Sequence, residues 1–205
     1  MFQTQQEITE YKATYAANTK PGDVKYVDRN GDGKINADDM TVIGNSFPKY
    51  TFGLNGDFSY KGFDLNILFQ GAAKVDARLA GALAEMGNQE GFTHEIYTND
   101  YWTPENTGAR FPRPVKFDLR NVATSDRLVI DGSYLRLKNV QLAYNIPAEI
   151  VSKLHVSRIR VYTSATNLLT FSKLNEWNLD PEVPSGRAVY FPQTALYTFG
   201  LNLSF

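Results

Sequence analysis

The residues best equipped for chemistry are the oxygen-bearing side chains of DRNGDGKINADD, Asp28 to Asp39. Read as a twelve-residue calcium loop, the segment puts Asp28, Asn30 and Asp32 at positions 1, 3 and 5, Gly33 at the sharp turn of position 6, the Lys34 carbonyl at 7 and Asp39 at 12. A hard cation needs converging oxygens, and this spacing supplies them. Asp in place of the bidentate Glu at position 12 predicts weak binding, roughly 10⁻⁴ to 10⁻³ M, suited to stiffening an external loop. The alternative is an Asx-rich turn whose carboxylates accept their own backbone amides.

Other chemistry is sparse. His94 and His155 stand far apart without an acidic cluster at ligand spacing, which makes surface histidines of them rather than metal ligands or general bases. The sequence contains no GxSxG, HExxH or phosphate-cradling glycine loop, so catalysis has no candidate residues. Tyr101 and Trp102, with Trp177, Tyr190 and Phe191, sit in two long irregular stretches. Such aromatic faces can line an external ligand path or staple the loops that carry them, and stapling is the commoner use.

Composition narrows the partners. Lys plus Arg number 21 against 22 Asp plus Glu, so no basic surplus exists for nucleic-acid phosphates. With no cysteine there is no disulfide, thiolate metal site or cysteine nucleophile. No stretch approaches the roughly 20 apolar residues of a membrane-spanning helix, and the first 20 residues lack a signal-peptide profile. A β-barrel remains open, because its strands need only about 9 to 11 alternating residues.

The elements that must position these residues follow from periodicity. Residues 1 to 20 predict a helix around Ile8, Tyr11 and Tyr15, broken at Pro21-Gly22. From Lys49 the period is two: Tyr50, Phe52, Leu54, Phe58 and Tyr60 share one face, opposed by Thr51, Gly53, Asn55, Asp57 and Ser59. Strands are expected near 49 to 60, 62 to 72, 133 to 145, 157 to 166 and 194 to 205, each adjacent to the next, with a short helical AEIVSKL after Pro147. Their connections alternate between short and long, which sorts the long ones to one end of the sheet, as in an outer-membrane barrel. A soluble β-sandwich with two long loops fits the same pattern.

Two finer expectations concern faces. Leu135 and Leu137 are odd-numbered while Val140, Leu142 and Tyr144 are even-numbered, so a β-bulge near Lys138-Asn139 is needed to keep them on one face. In a barrel the Tyr50, Phe63 and Tyr197 faces point to lipid, with Phe58, Tyr60, Phe63, Tyr144 and Phe205 as a periplasmic aromatic girdle. Thr51, Asn55, Asp64 and Asn202, and the cations Arg136, Lys138, Arg158 and Arg160, then face the lumen, because Arg or Lys at the lipid midplane costs about 2 to 4 kcal/mol.

Four blocks carry a family resemblance: PGDVKYVDRNGDGKINADDMTVIGNSFPKYTFGLNGDFSYKGFDLNILFQG at 21 to 71, YWTPENTGARFPRP at 101 to 114, SYLRLKNVQLAYNIP at 133 to 147, and RIRVYTSATNLLTFSKLNEWNLDPE at 158 to 182. Together they resemble the C-terminal part of SusC/RagA-type TonB-dependent outer-membrane transporters. The resemblance implies an all-β fold: a five-stranded segment of a barrel of roughly 22 antiparallel strands with a plugged lumen and long extracellular loops. Residues 1 to 48 become an extracellular loop segment with the calcium loop, and 49 to 205 the C-terminal strands. It also implies location in a Gram-negative outer membrane, a SusD-like surface lipoprotein as partner, and import of glycans or peptides. TonB contact, the plug and about seventeen further strands must come from elsewhere, because five strands leave two open edges that lipid does not tolerate. The rival class is a soluble calcium-stabilised β module for carbohydrate binding or adhesion.

Overall fold

The computed structural model describes residues 1–84, 93–98, 100–116, 120–154, 156–183 and 193–205. The chain forms two compact units. The first joins Met1–Ser46 to Ala77–Ile130, and the second contains Phe47–Asp76, Asp131–Val183 and the C-terminal strand. The segment 77–130, grouped with the strands in the sequence, therefore belongs with the N-terminal unit.

In the first unit the expected helix is shorter than predicted. Helix α1 spans Gln5–Tyr11, its N-terminus capped by Thr4, whose hydroxyl accepts from the Glu7 amide at 3.1 Å. Lys12 ends it by taking a φ of 65°, which leaves Tyr15 outside the helix and exposed. Ile8 and Phe2 are buried, as are Leu79, Leu83, Tyr97, Trp102, Phe111 and Leu128 from the later segment of the unit.

The second unit is a sheet of five antiparallel strands: β1 (Tyr50–Tyr60), β2 (Phe63–Ala73), β5 (Tyr134–Asn145), β6 (Arg158–Ser172) and β7 (Leu196–Ser204). Short strands β3 (Asp76–Arg78) and β4 (Val129–Asp131) form a separate two-stranded ladder. The order β1-β2-β5-β6-β7 pairs each long strand with the next, as expected. Lys61 and Gly62 join β1 to β2 with φ of 46° and 85°, the two positive values that a tight hairpin turn with right-handed strand twist requires. The 146–157 connection lies at that same end of the sheet, and the connections after β2 and β6 at the other. Within it, α2 (Ala148–Val151) realises the short helix expected after Pro147.

The bulge falls where the parity change demanded it. Leu68 of β2 pairs with Asn139 and the neighbouring Phe69 with Leu137, so Lys138 is the extra residue. On the β6 side Asn139 pairs with Thr166 and Leu137 with Leu169, leaving Asn167 and Leu168 out of register. This corrects the expected end of the fourth strand. Asn167 takes a φ of 52°, absorbs the break in alternation, and β6 runs on to Ser172.

The two faces of the sheet and the loop at Asp28

The register collects every large apolar strand residue of the predicted set on one face. Across the sheet, Tyr60, Phe63, Tyr144 and Val161 form one row, and Phe58, Leu65, Leu142, Thr163 and Phe199 the next. Nearer the other end, Phe69, Leu137 and Leu169 continue the face beyond the bulge. This face is not covered. Tyr50, Phe52, Leu54, Phe58 and Tyr60 have 47% to 70% of their surface exposed, and Phe199 has 82%. An apolar face of that size is unstable in water, and its height matches a bilayer: 11 residues of β1 at about 3.3 Å each, tilted about 45°, span roughly 25 Å. At the Lys61 end the Phe63 and Tyr144 rings pack with centroids 4.5 Å apart, and Tyr60, Phe58 and Phe205 lie at the same end.

The opposite face is polar and laced together by its own side chains. Asn66 Nδ2 donates to Asp57 Oδ1 at 2.7 Å and Asn55 Oδ1 at 3.1 Å, while Asn139 Nδ2 donates to Asn66 Oδ1 at 3.2 Å. Closer to Lys61, Asp64 accepts from the Ser59 hydroxyl at 2.7 Å and from Asn145 Nδ2 at 2.8 Å, and Arg158 Nη2 reaches Asn145 Oδ1 at 2.6 Å. Arg160 pairs in register with Asn202 on this face, and Thr51 lies on it beside Ala72. Arg136 and Lys138 also belong here, since both reach Glu182 at 2.8 Å. All four predicted lumenal cations thus avoid the apolar face, and the bulge gives Lys138 and Asn139 the same side.

The Asp28 loop is a glycine-containing turn whose carboxylates accept its own backbone amides. Gly31 and Gly33 take φ of 75° and 78°, values that a residue with a Cβ rarely adopts. Asp28 accepts the Gly31 and Gly33 amides at 2.7 and 2.9 Å, Asn30 Oδ1 the Asp32 amide at 3.0 Å, and Asp32 Oδ1 the Lys34 amide at 2.8 Å. Asp39 accepts the Asn36 and Arg29 amides at 2.9 and 2.8 Å, and these bonds hold its carboxyl below the usual carboxylate range. The oxygens are of the hard type that calcium takes, and a carboxylate with two amide bonds keeps about two of its four lone-pair sites. Among the described residues no group of three or more His, Cys, Asp or Glu converges as a metal-ligand set.

Of the remaining candidates Trp102 and Trp177 are buried and Tyr101 is half-buried. Trp102 is 8% exposed, its indole lies against Gly22, and its Nε1 donates to Gln3 Oε1 at 2.9 Å. Tyr101 forms an isolated bridge with Phe111 in the same unit. Trp177, in the second unit, is 3% exposed at the end of a 3-10 turn, Lys173–Trp177. His94 caps a short turn, its Nδ1 accepting the Ile96 amide at 3.3 Å. His155, Tyr190 and Phe191 lie outside the described residues.

Sequence reasoning missed a buried charge cluster in the first unit. Asp23, 1% exposed, accepts from Arg113 Nη2 at 3.0 Å, Arg120 Nη1 at 3.4 Å, Asn121 Nδ2 at 3.0 Å and the Lys20 amide at 2.9 Å, with Arg113 Nε 2.7 Å away as an ion pair. Both its oxygens are satisfied, and the cluster ties the N-terminal segment to residues about ninety positions on. Its partners are all internal, which gives it a structural role rather than a ligand site.

No family model matches the chain. Curated relatives do. TonB-dependent receptor P3 of Formosa agariphila is 33% identical over 94% of this chain and 20% of its own length. TonB-dependent receptor SusC of Bacteroides thetaiotaomicron is 28% identical over 95% of this chain and 19% of its own length. A solved structure of the RagAB peptide transporter superposes with a TM-score of 0.68 at 26% identity, covering 95% of this chain and 22% of that one. The chain spans about a fifth of the length of these relatives. An open sheet with one bare apolar face and one hydrogen-bonded polar face is what a segment of such a barrel requires, and over nearly all of its length the chain is similar to a segment of the TonB-dependent receptors of the SusC/RagA type.

Proposed function

We propose that this chain supplies wall strands and external loops of an outer-membrane importer of glycans or peptides. That importer works beneath a SusD-like surface lipoprotein and draws energy through TonB, with plug and remaining strands provided by the rest of the protein. The observation that carries the reading is the continuous, exposed apolar face on a five-stranded sheet with two open edges. Lipid covers such a face and neighbouring strands cover such edges; water does neither. The work is transport rather than catalysis, in keeping with the receptor names of its relatives.

Spin labels at Phe52, Leu65 and Leu201 in the reconstituted complete barrel test it. We expect lipid-accessible signals there and water-accessible ones at Thr51, Asn55 and Asn202. Water-accessible labels at all six positions would sink the reading and favour the soluble calcium-stabilised module, which unlike a barrel segment stays monodisperse without detergent.

The Asp28–Asp39 loop is proposed to take calcium through Asp28, Asn30, Asp32, the Lys34 carbonyl and Asp39, stiffening an external loop. The donor chemistry and the turn at Gly33 support this; amide-satisfied Asx turns are the competing account. Calorimetry in millimolar calcium decides: binding lost in Asp32→Ala but kept in Asp38→Ala supports the ion, and no heat with folded wild-type protein leaves the turn.

A further inference from the structure

The 3-10 turn Lys173–Trp177 begins the long connection between β6 and β7, and it does not run on past the end of the sheet. Ser172 caps it, Asn175 Nδ2 donates back to the Thr170 carbonyl at 2.9 Å, and Leu174 and Trp177 are buried. Asn178 then takes a left-handed φ of 53°, which reverses the chain and returns Asp180-Pro181-Glu182 toward the polar face of β5.

Three consecutive residues of that face receive it. Arg136 is 2% exposed: Nε donates to Thr170 Oγ1 at 2.8 Å and Nη2 to Asp180 Oδ2 at 2.7 Å, while Nη1 lies 2.8 Å from Glu182 Oε2 as an ion pair without hydrogen-bond alignment. Lys138 Nζ reaches the same Glu182 oxygen at 2.8 Å, and the Tyr134 hydroxyl approaches Oε1 at 3.4 Å. Asp180 and Glu182 have side chains only 11% and 14% exposed. Two cations meet two carboxylates, with Arg136, Asp180 and Glu182 largely buried and Lys138 29% exposed, so the charges cancel locally. Removing Asp180 or Glu182 leaves the buried Arg136 guanidinium short of a counter-charge, which favours release of the segment.

We propose that Arg136 and Lys138 form an ionic latch that holds Lys173–Val183 folded back over the polar face of β5, as an inward constriction of the barrel. Tyr134, Arg136 and Lys138 all turn their polar ends to Glu182, so one carboxylate pins the segment over this stretch of the β5 face. Lumenal loops of this kind narrow or close barrels whose walls are otherwise open. The proposal rests on the barrel reading for the word inward; the latch itself rests on the contacts.

Hydrogen exchange read by mass spectrometry on the complete detergent-solubilised protein tests it. The double variant Asp180→Asn/Glu182→Gln leaves every strand residue intact, and we expect the amides of 178–183 to exchange about tenfold faster or more, with the β5–β6 ladder unchanged. Arg136→Gln is expected to do the same, and Lys173→Gln, which touches only the exposed Asp131 pair at 3.5 Å, is expected to do nothing. Unchanged exchange of 178–183 in the acid-pair variant overturns the latch. So does loss of protection throughout the β5–β6 ladder in that variant, since the ions would then hold the wall rather than the loop. Failure of the barrel reading registers separately, as water-accessible labels at Phe52, Leu65 and Leu201.

Discussion

Leu137 and Asn139 pair with adjacent residues of β2, Phe69 and Leu68, so Lys138 between them has no partner on that strand. That single unpaired residue keeps Leu135 and Leu137 on the apolar face together with Val140, Leu142 and Tyr144. Deleting it forces a choice. Either the residues from 139 onward change faces, which puts Asn139, Gln141 and Asn145 into the apolar layer, or the β2–β5 register slips by one with the same result. Deletion of Lys138 is therefore expected to abolish assembly of the complete barrel, measured by loss of the heat-modifiable gel shift. Lys138→Ala, which keeps the bulge, is expected to assemble.

Single charges placed on the two faces of one strand give a second prediction. Leu201 and Asn202 are consecutive on β7, the first 57% exposed on the apolar face opposite Val161 and the second opposite Arg160. Leu201→Arg is expected to destabilise folding into liposomes measurably, by less than the about 2 to 4 kcal/mol of a midplane cation because its row runs to the Tyr60 end of the sheet. Asn202→Lys is expected to cost well under half of that, since it faces the polar side.

Gly71 gives a third. A Cβ there would sit 2.4 Å from the Phe52 ring and 2.6 Å from the Tyr134 carbonyl oxygen, and that backbone cannot retreat without parting β2 from β5. At Gly200 the close atoms are only the far end of the Tyr162 ring, at 2.2 to 2.4 Å, which can swing aside. Gly71→Ala is expected to cost about 1 to 3 kcal/mol in denaturant unfolding of the barrel, and Gly200→Ala less. Adding Tyr162→Ala to Gly200→Ala is expected to remove the clash, whereas Phe52→Ala leaves Gly71→Ala destabilised.

These contrasts mark what could be read from the chain. Face and strand order were legible because period-two alternation survives even a bulge, whose position shows as a change of parity between Leu137 and Val140. The far end of β6 was not, because Asn167-Leu168 breaks the alternation and reads as a strand end when it is an irregularity in register. Nor were the two ionic clusters. Arg136 could be put on the polar face, but Asp180 and Glu182 stand 44 residues on in an irregular stretch. Asp23 finds Arg113 and Arg120 about ninety residues away. Local patterns report which face a side chain takes; they carry no record of which distant charge it meets.

The Asp39 carboxylate supplies the last prediction, with the sign worked through. Two backbone amides, Asn36 and Arg29, hold its folded pKa below the ordinary carboxylate value, and Asp39 closes a reciprocal cap with Asn36, whose side chain accepts the Asp38 amide at 2.6 Å. A depressed pKa means the folded loop binds fewer protons than the unfolded one, so its contribution is fully present above the ordinary carboxylate pKa and is lost as pH falls through the folded value. The loop is thus expected to keep its order from neutral pH down to the ordinary carboxylate range and to loosen below it, seen as faster exchange at the Arg29 and Asn36 amides. Because Asp39 is exposed, the effect is local and leaves the Asp23 cluster intact. Asp39→Asn is expected to flatten this dependence while retaining part of the cap, since the amide oxygen still accepts. If wild type and Asp39→Asn loosen together at the same pH, the Asp39 carboxylate is not the source of the acid sensitivity.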